Sequence, residues 1–198
     1  MNVALRRPVM TREEFLDWAE RQEERYEFNG TRPVAMTGGS ADHDTITNNI
    51  QGALRSRLNN TACRSMGPNI SVATTGTATR YPDALVTCTP VPGKARTIPG
   101  VIVVFEVVSP SSVHTDYIVK VREYRTVPSI LRYVILEQDS AGLTVLHRIG
   151  GDDEWTANTL IAGETVVMPE IGIEVPVDEF YRGVNLSAAT DTDPQPAA

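Results

Sequence analysis

Hydrophobic and polar positions along the chain change period several times. The segment from Met10 to Phe15 opens like a helix: Thr11 is placed to cap it, Glu14 to complete a capping box, and Met10 to staple against Phe15. This helix is expected to run to about Gln22. Tyr26-Glu27-Phe28-Asn29-Gly30-Thr31 then reads as a small hairpin around an Asn-Gly turn, a pair that tolerates the positive φ of a type I′ turn. After Thr37-Gly38-Gly39, Ser40 is placed to cap a second helix, in which Ile46, Ile50, Leu54 and Leu58 recur every four residues and form one buried stripe.

Beyond Leu58 the period shortens. Asn69 to Thr74, Tyr81 to Thr87 and Val101 to Ser109 read as strands, separated by turn-rich stretches such as Thr89-Pro90-Val91-Pro92-Gly93. A third helix is expected over about Thr115 to Thr126, ending before Pro128. Leu131 to Glu137 and Leu143 to Ile149 follow as strands joined around Ser140-Ala141-Gly142. Trp155 to Leu160, Thr165 to Met168 and Ile171 to Val175 read as further short strands, with a brief helix near Val177 to Tyr181. Residues 1–185 are expected to form one domain and 186–198 a disordered tail, which from Ala188 onward has the composition of one. There is no internal repeat.

Composition narrows the class. In 198 residues, 41% are hydrophobic and 22% charged, as in a globular protein. Neither a membrane-spanning run nor the apolar core of a secretory signal is visible, so a cytoplasmic location is expected. Cys63 and Cys88, the only thiols, match no metal-binding spacing and are expected to be reduced there. The net charge of -7 argues against a polyanionic partner at first sight. The acids are concentrated at the end, however: residues 151–198 hold ten acidic side chains and one basic. The middle of the chain stays slightly positive, which keeps nucleic acid open as a partner.

Candidate chemistry begins at Val101-Ile102-Val103-Val104-Phe105-Glu106-Val107-Val108, a strand apolar on both faces except at Glu106. A carboxylate there must be paired, hydrogen-bonded or metal-bound, or else reach water at the strand's end. Tyr81-Pro82-Asp83 places a second acid at the entry of another apolar strand, although Pro-Asp alone is common at turns. Two carboxylates converging from neighbouring strands suit a hard divalent cation such as Mg²⁺. Asp116, Lys120 and Tyr124, spaced by four, share one helix face. Asp116 and Lys120 are an ordinary solvated ion pair in one reading; in the other, Lys120, one of only two lysines, reaches the cavity of Glu106 and stabilises charge developing on phosphorus. Ser109, Ser111 and Ser112 lack His and Asp partners in any hydrolase motif. Gly38-Gly39-Ser40 lacks phosphate-loop spacing.

Several motifs together carry a resemblance: Tyr26-Glu27-Phe28-x-Gly30, Met36, Ser40-x-x-His43, Pro82-Asp83, Phe105-Glu106-Val107-Val108-Ser109-Pro110-Ser111, Asp116-x-x-x-Lys120-x-x-x-Tyr124 and Leu131-x-Tyr133-Val134-Ile135. Over about Met10 to Tyr181 the chain resembles the Uma-type restriction endonuclease family of the PD-(D/E)XK nuclease superfamily. The resemblance implies an α/β (α+β) restriction-endonuclease-like core, a central mixed sheet flanked by helices, with an N-terminal helix and hairpin and extra C-terminal strands. It implies Asp83 and Glu106 as metal ligands, the Val107 carbonyl as a third, and Mg²⁺ (or Mn²⁺) as cofactor. The superfamily's lysine two residues after the second acid is Val108 here, so Lys120 on the next helix takes its place. Glu27 and His43 match family positions and form an outer part of the site; for His43 the alternative is a residue that caps or packs its helix.

The expected activity is Mg²⁺-dependent hydrolysis of DNA phosphodiester bonds by Asp83, Glu106 and Lys120, with a homodimer suited to cutting both strands. Two alternatives remain: a non-catalytic module on the same fold that binds nucleic acid or protein, and a hydrolase of a smaller phosphorylated substrate.

Overall fold

In the computed structural model, which describes residues 10–74, 76–148 and 154–186, the centre is a six-stranded mixed sheet in the order β10-β9-β8-β7-β6-β3. These strands are β3 (Arg64–Met66), β6 (Ala84–Thr87), β7 (Val101–Val107), β8 (Arg132–Leu136), β9 (Gly142–Arg148) and β10 (Trp155–Ile161). Only β7 and β8 run parallel. A parallel pair needs a crossover, and the connection from Val108 to Leu131 supplies one that contains a helix. Both faces of the sheet are covered, which explains the unbroken apolar run of β7.

On one face lies α2 (Ala41–Leu58), capped by Ser40 Oγ accepting the His43 N–H at 3.1 Å. Its stripe of Ile46, Ile50, Leu54 and Leu58 is buried against Ala84, Val86, Phe105 and Val107. The antiparallel ribbon of β11 (Thr165–Met168) and β12 (Ile173–Pro176), followed by α4 (Val177–Phe180), completes this layer. Arg57 ties α2 to α4 through a bidentate pair with Glu179 at 2.9 and 2.8 Å. The opposite face packs Leu85, Val104 and Ile135 against Tyr124, Tyr133 and Ile130. Tyr124 belongs to α3 (Val121–Arg125), which continues a π-helical turn over Thr115–Lys120.

A second sheet, in the order β2-β1-β5-β4, joins the hairpin of β1 (Tyr26–Phe28) and β2 (Pro33–Ala35) to β5 (Thr79–Arg80) and β4 (Val72–Ala73). The first helix, α1 (Arg12–Ala19), packs Phe15 against Phe28, their rings stacked 5.1 Å apart.

Local signals set most of these elements, with instructive exceptions. The Thr11 and Glu14 capping box forms, and Met10 packs beside Phe15. The helix stops at Ala19 rather than near Gln22, because Gln22 folds back to donate from Nε2 to the Trp18 carbonyl at 2.9 Å. The Asn29-Gly30 hairpin forms with Gly30 at φ +85°. Its loop is nevertheless four residues long, since Phe28 pairs with Pro33 and Asn29 Oδ1 accepts both the Thr31 and Arg32 N–H groups at 2.9 Å. Of the strand expected over Asn69 to Thr74, only Val72 and Ala73 are extended, and β3 and β5, two or three residues each, had no alternation to mark them. Cys63 and Cys88, expected to be reduced, are joined by a disulfide. The β3–β6 register pairs Arg64 with Thr87 and so sets these two cysteines face to face, a juxtaposition invisible in a 25-residue separation. Ile149 and the tail from Ala188 lie outside the described residues. No helix among the described residues is long and apolar enough to cross a membrane.

Candidate active site

The site forms where two antiparallel strands begin and end. Ala84 pairs with Phe105 in the last rung of the two strands, and Asp83 stands in a bend at the strand entry. Glu106, which alternates with the α2-facing Phe105 and Val107, projects toward the side occupied by the π-helical turn and α3. Asp83 is anchored by its own neighbour strand: Oδ2 accepts the Val107 N–H at 2.7 Å. Pro82, which has no N–H, costs the ladder nothing at this entry.

Lys120 meets Glu106 from the helix side. Its Nζ lies 2.8 Å from Glu106 Oε1, 2.9 Å from Asp116 Oδ1 and 4.0 Å from Glu27 Oε1. Asp116 Oδ1 makes no directed hydrogen bond, so its contact with the ammonium is electrostatic rather than directional. Tyr124 donates to Glu106 Oε1 at 2.9 Å. Glu106 is only 4% exposed and Lys120 7%, so neither charge is solvated by bulk water. The solvated Asp116–Lys120 pair of the simpler reading is thus not what forms, and the partner that Glu106 required is Lys120.

Glu27, on β1, is held on two sides. Its Oε2 accepts from Arg80 at 2.9 Å and its Oε1 from the Tyr81 N–H at 3.0 Å. Arg80, 3% exposed, also forms a bidentate pair with Glu123 on α3 at 2.7 Å for both bonds. The result is a buried run of alternating charge from Glu123 through Arg80, Glu27 and Lys120 to Glu106. Sequence reasoning missed Arg80 and Glu123. No local pattern flags them, because β5 is two residues long and Glu123 falls in a charged helical stretch. His43, in the first turn of α2, brings Nε2 to 3.4 Å from Asp83 Oδ2, and Gly39 lies over its ring so closely that a Cβ there would sit 2.8 Å from Nδ1.

The electrostatics follow from this crowding. Burial raises Glu106 well above the usual carboxylate range against the pull of Lys120, and the like charges of Asp116, Asp83 and Glu27 add to the rise. Burial opposes the Lys120 ammonium, but Glu106, Glu27 and Asp116 together outweigh it and keep the amine charged. Glu27 is lowered: Lys120, Arg80 and the Tyr81 N–H overcome its burial. The adjoining Asp83 raises His43, against the effect of partial burial.

Glu27, Asp83, Glu106, Asp116, Lys120 and His43 all line one cavity of about 740 Å³. Its oxygen donors fit a hard divalent ion. The buried Glu106 is strained by neighbouring negative charge, and the undirected Asp116 oxygen stands beside it. Among the described residues no group of three or more His, Cys, Asp or Glu side chains is placed to hold a metal ion.

The chain's relatives agree with this architecture. An uncharacterized protein of Synechocystis sp., slr1290, is 29% identical over 181 residues, covering 89% of this chain and 94% of that protein. A crystal structure from Anabaena variabilis, titled "a putative nuclease belonging to DUF820", shares the fold with a TM-score of 0.66 at 13% identity, over 86% of this chain and 97% of the other. The Uma2 family model, described as "Putative restriction endonuclease", matches residues 12–178. With a match across the whole region that builds the sheet and its cavity, the chain belongs to the Uma2 family.

Proposed function

We propose that the protein is a divalent-metal-dependent endonuclease that hydrolyses phosphodiester bonds of DNA. The observation that carries this reading is the meeting of Asp83, Glu106 and the Lys120 ammonium in one cavity from three separate elements. Asp83 and Glu106, with the Val107 carbonyl, would hold Mg²⁺ (or Mn²⁺). When bound, the ion supplies an activated water and neutralises phosphate charge.

This chain's residues do the rest. Tyr124 fixes Glu106 Oε1, and the Val107 N–H fixes Asp83, so both carboxylates are oriented before substrate arrives. The Lys120 Nζ, kept charged, donates hydrogen bonds to the attacking water or to an oxygen on the reacting phosphorus, where charge develops. The near-complete burial of Glu106 and Lys120 limits competing solvent and strengthens these interactions. Cutting both strands calls for two such centres, so a homodimer belongs to the proposal.

Incubation of supercoiled plasmid with Mg²⁺ tests it. Wild type should nick or linearise the plasmid. Asp83→Ala and Glu106→Ala should abolish cleavage, and Lys120→Ala should slow it roughly 10²- to 10³-fold, as loss of a charge-stabilising donor does elsewhere. Equal cleavage by wild type and all three variants would place the activity elsewhere.

A further inference from the structure

Resting on the metal-binding reading above, we propose that Glu27 is the positioning residue that receives the Lys120 ammonium when a divalent cation occupies the space beside Glu106. As it stands, Lys120 is itself the cation of that space, 2.8 Å from Glu106 and 2.9 Å from Asp116. An ammonium and a divalent ion repel strongly at such distances in a water-poor cavity, so one must withdraw as the other enters. Lys120 is 7% exposed and three carboxylates already surround its ammonium, so these are its nearest destinations.

Of these, Asp116 lies on the same helical turn and contacts the lysine already. It cannot distinguish the two positions. Glu27 comes from a different sheet, and its Oε1 stands 4.0 Å from Nζ, short of full contact by about the displacement required. Its carboxylate is prepared for the role. Arg80 and the Tyr81 N–H fix its orientation and leave Oε1, with a second lone pair, facing the amine. Arg80 is locked in turn to Glu123, three residues beyond Lys120, so acceptor and amine are referenced to one helix. Partial release from Glu106 would also free that carboxylate for the metal while keeping the ammonium within reach of a phosphate.

The test is Mn²⁺ binding to the full chain by calorimetry, without DNA, in a double-mutant cycle. Lys120→Met should tighten Mn²⁺ by removing the competing cation. Glu27→Gln should weaken Mn²⁺ about tenfold in the wild-type background, within the usual range of site coupling. In the Lys120→Met background the same substitution should change affinity less than twofold, because no ammonium needs a new partner. Glu27 acting on the metal directly, as a ligand or through its charge, would weaken binding equally or more in the Lys120→Met background, and that result overturns the inference alone. Failure of wild type to bind Mn²⁺ overturns the functional reading with it. Should thermal melting show that Glu27→Gln does not fold, Glu27→Asp, which keeps the charge but shortens the reach, completes the same cycle with the same two outcomes.

Discussion

Glu106 is held in a place where a carboxylate is uncomfortable. Its pKa is raised above the value it would have in the unfolded chain, so the folded state binds its proton more tightly. The associated stability is fully present below the unfolded pKa, near 4.5, and is lost as pH rises through the folded value. Glu106→Gln keeps the shape and cannot ionise, while Lys120 retains Asp116 and Glu27. In EDTA at pH 8 the variant should therefore be more stable than wild type by on the order of 1 kcal/mol. The gap should close toward pH 4. Melting curves at several pH values decide it, and a variant less stable at pH 8 would contradict the account. The sequence showed Glu106 as an anomaly because everything around it was apolar. It did not show Arg80, whose burial depends on Glu27 and Glu123 arriving from 53 and 43 residues away.

The element that assembles these residues is the π-helical turn. In an α-helix, side chains four apart drift by about 40° around the axis. A π turn is wider and makes the same step fall short of a full circle, so its drift has the opposite sense. Joining Thr115–Lys120 to Val121–Arg125 lets the two drifts cancel, which keeps Asp116, Lys120 and Tyr124 in one line facing Glu106. Spacing alone predicted a shared face, but the same spacing fits either helix. What separates them is tertiary: the buried Tyr133 hydroxyl donates into the turn, to the Asp116 carbonyl at 3.1 Å. Deleting Ile118, which is 42% exposed, should convert the turn to α and rotate Asp116 away from Lys120. Circular dichroism should show the fold retained while plasmid cleavage falls about 10²-fold, the usual consequence of a small misplacement. Full activity in the deletion would mean that some other feature places the lysine.

Across the molecule, charge decides how a substrate is met. The chain carries a net -7, and the cavity itself is lined by Glu27, Asp44, Asp83, Glu106 and Asp116 against Arg25 and Lys120 as full cations. Under the proposed function, a phosphodiester entering such a cavity would be repelled until a divalent ion offset the acids. Binding of duplex DNA in Ca²⁺, at fixed low salt, should therefore weaken at least about tenfold when EDTA is added, by the charge reasoning that governs phosphate contacts. Affinity unchanged by EDTA would show that the duplex is held outside the cavity. At this scale the sequence was most legible, since the long periodic elements could be ordered along the chain and the resemblance carried by the motif series implied a mixed sheet flanked by helices. The short strands β3 and β5 and the Cys63–Cys88 bond escaped, because each is created by a partner that no local window contains.

Which side of the sheet Glu106 meets is a matter of parity. Residues 89–100, in the link between the two strands, can change in number without disturbing it, whereas a single residue gained or lost between Val103 and Phe105 turns Glu106 toward the α2 face of the sheet. Kin of this protein should accordingly be sought by strand phase, with the gap between the two acids left free, and a search that fixes that gap will pass over true members.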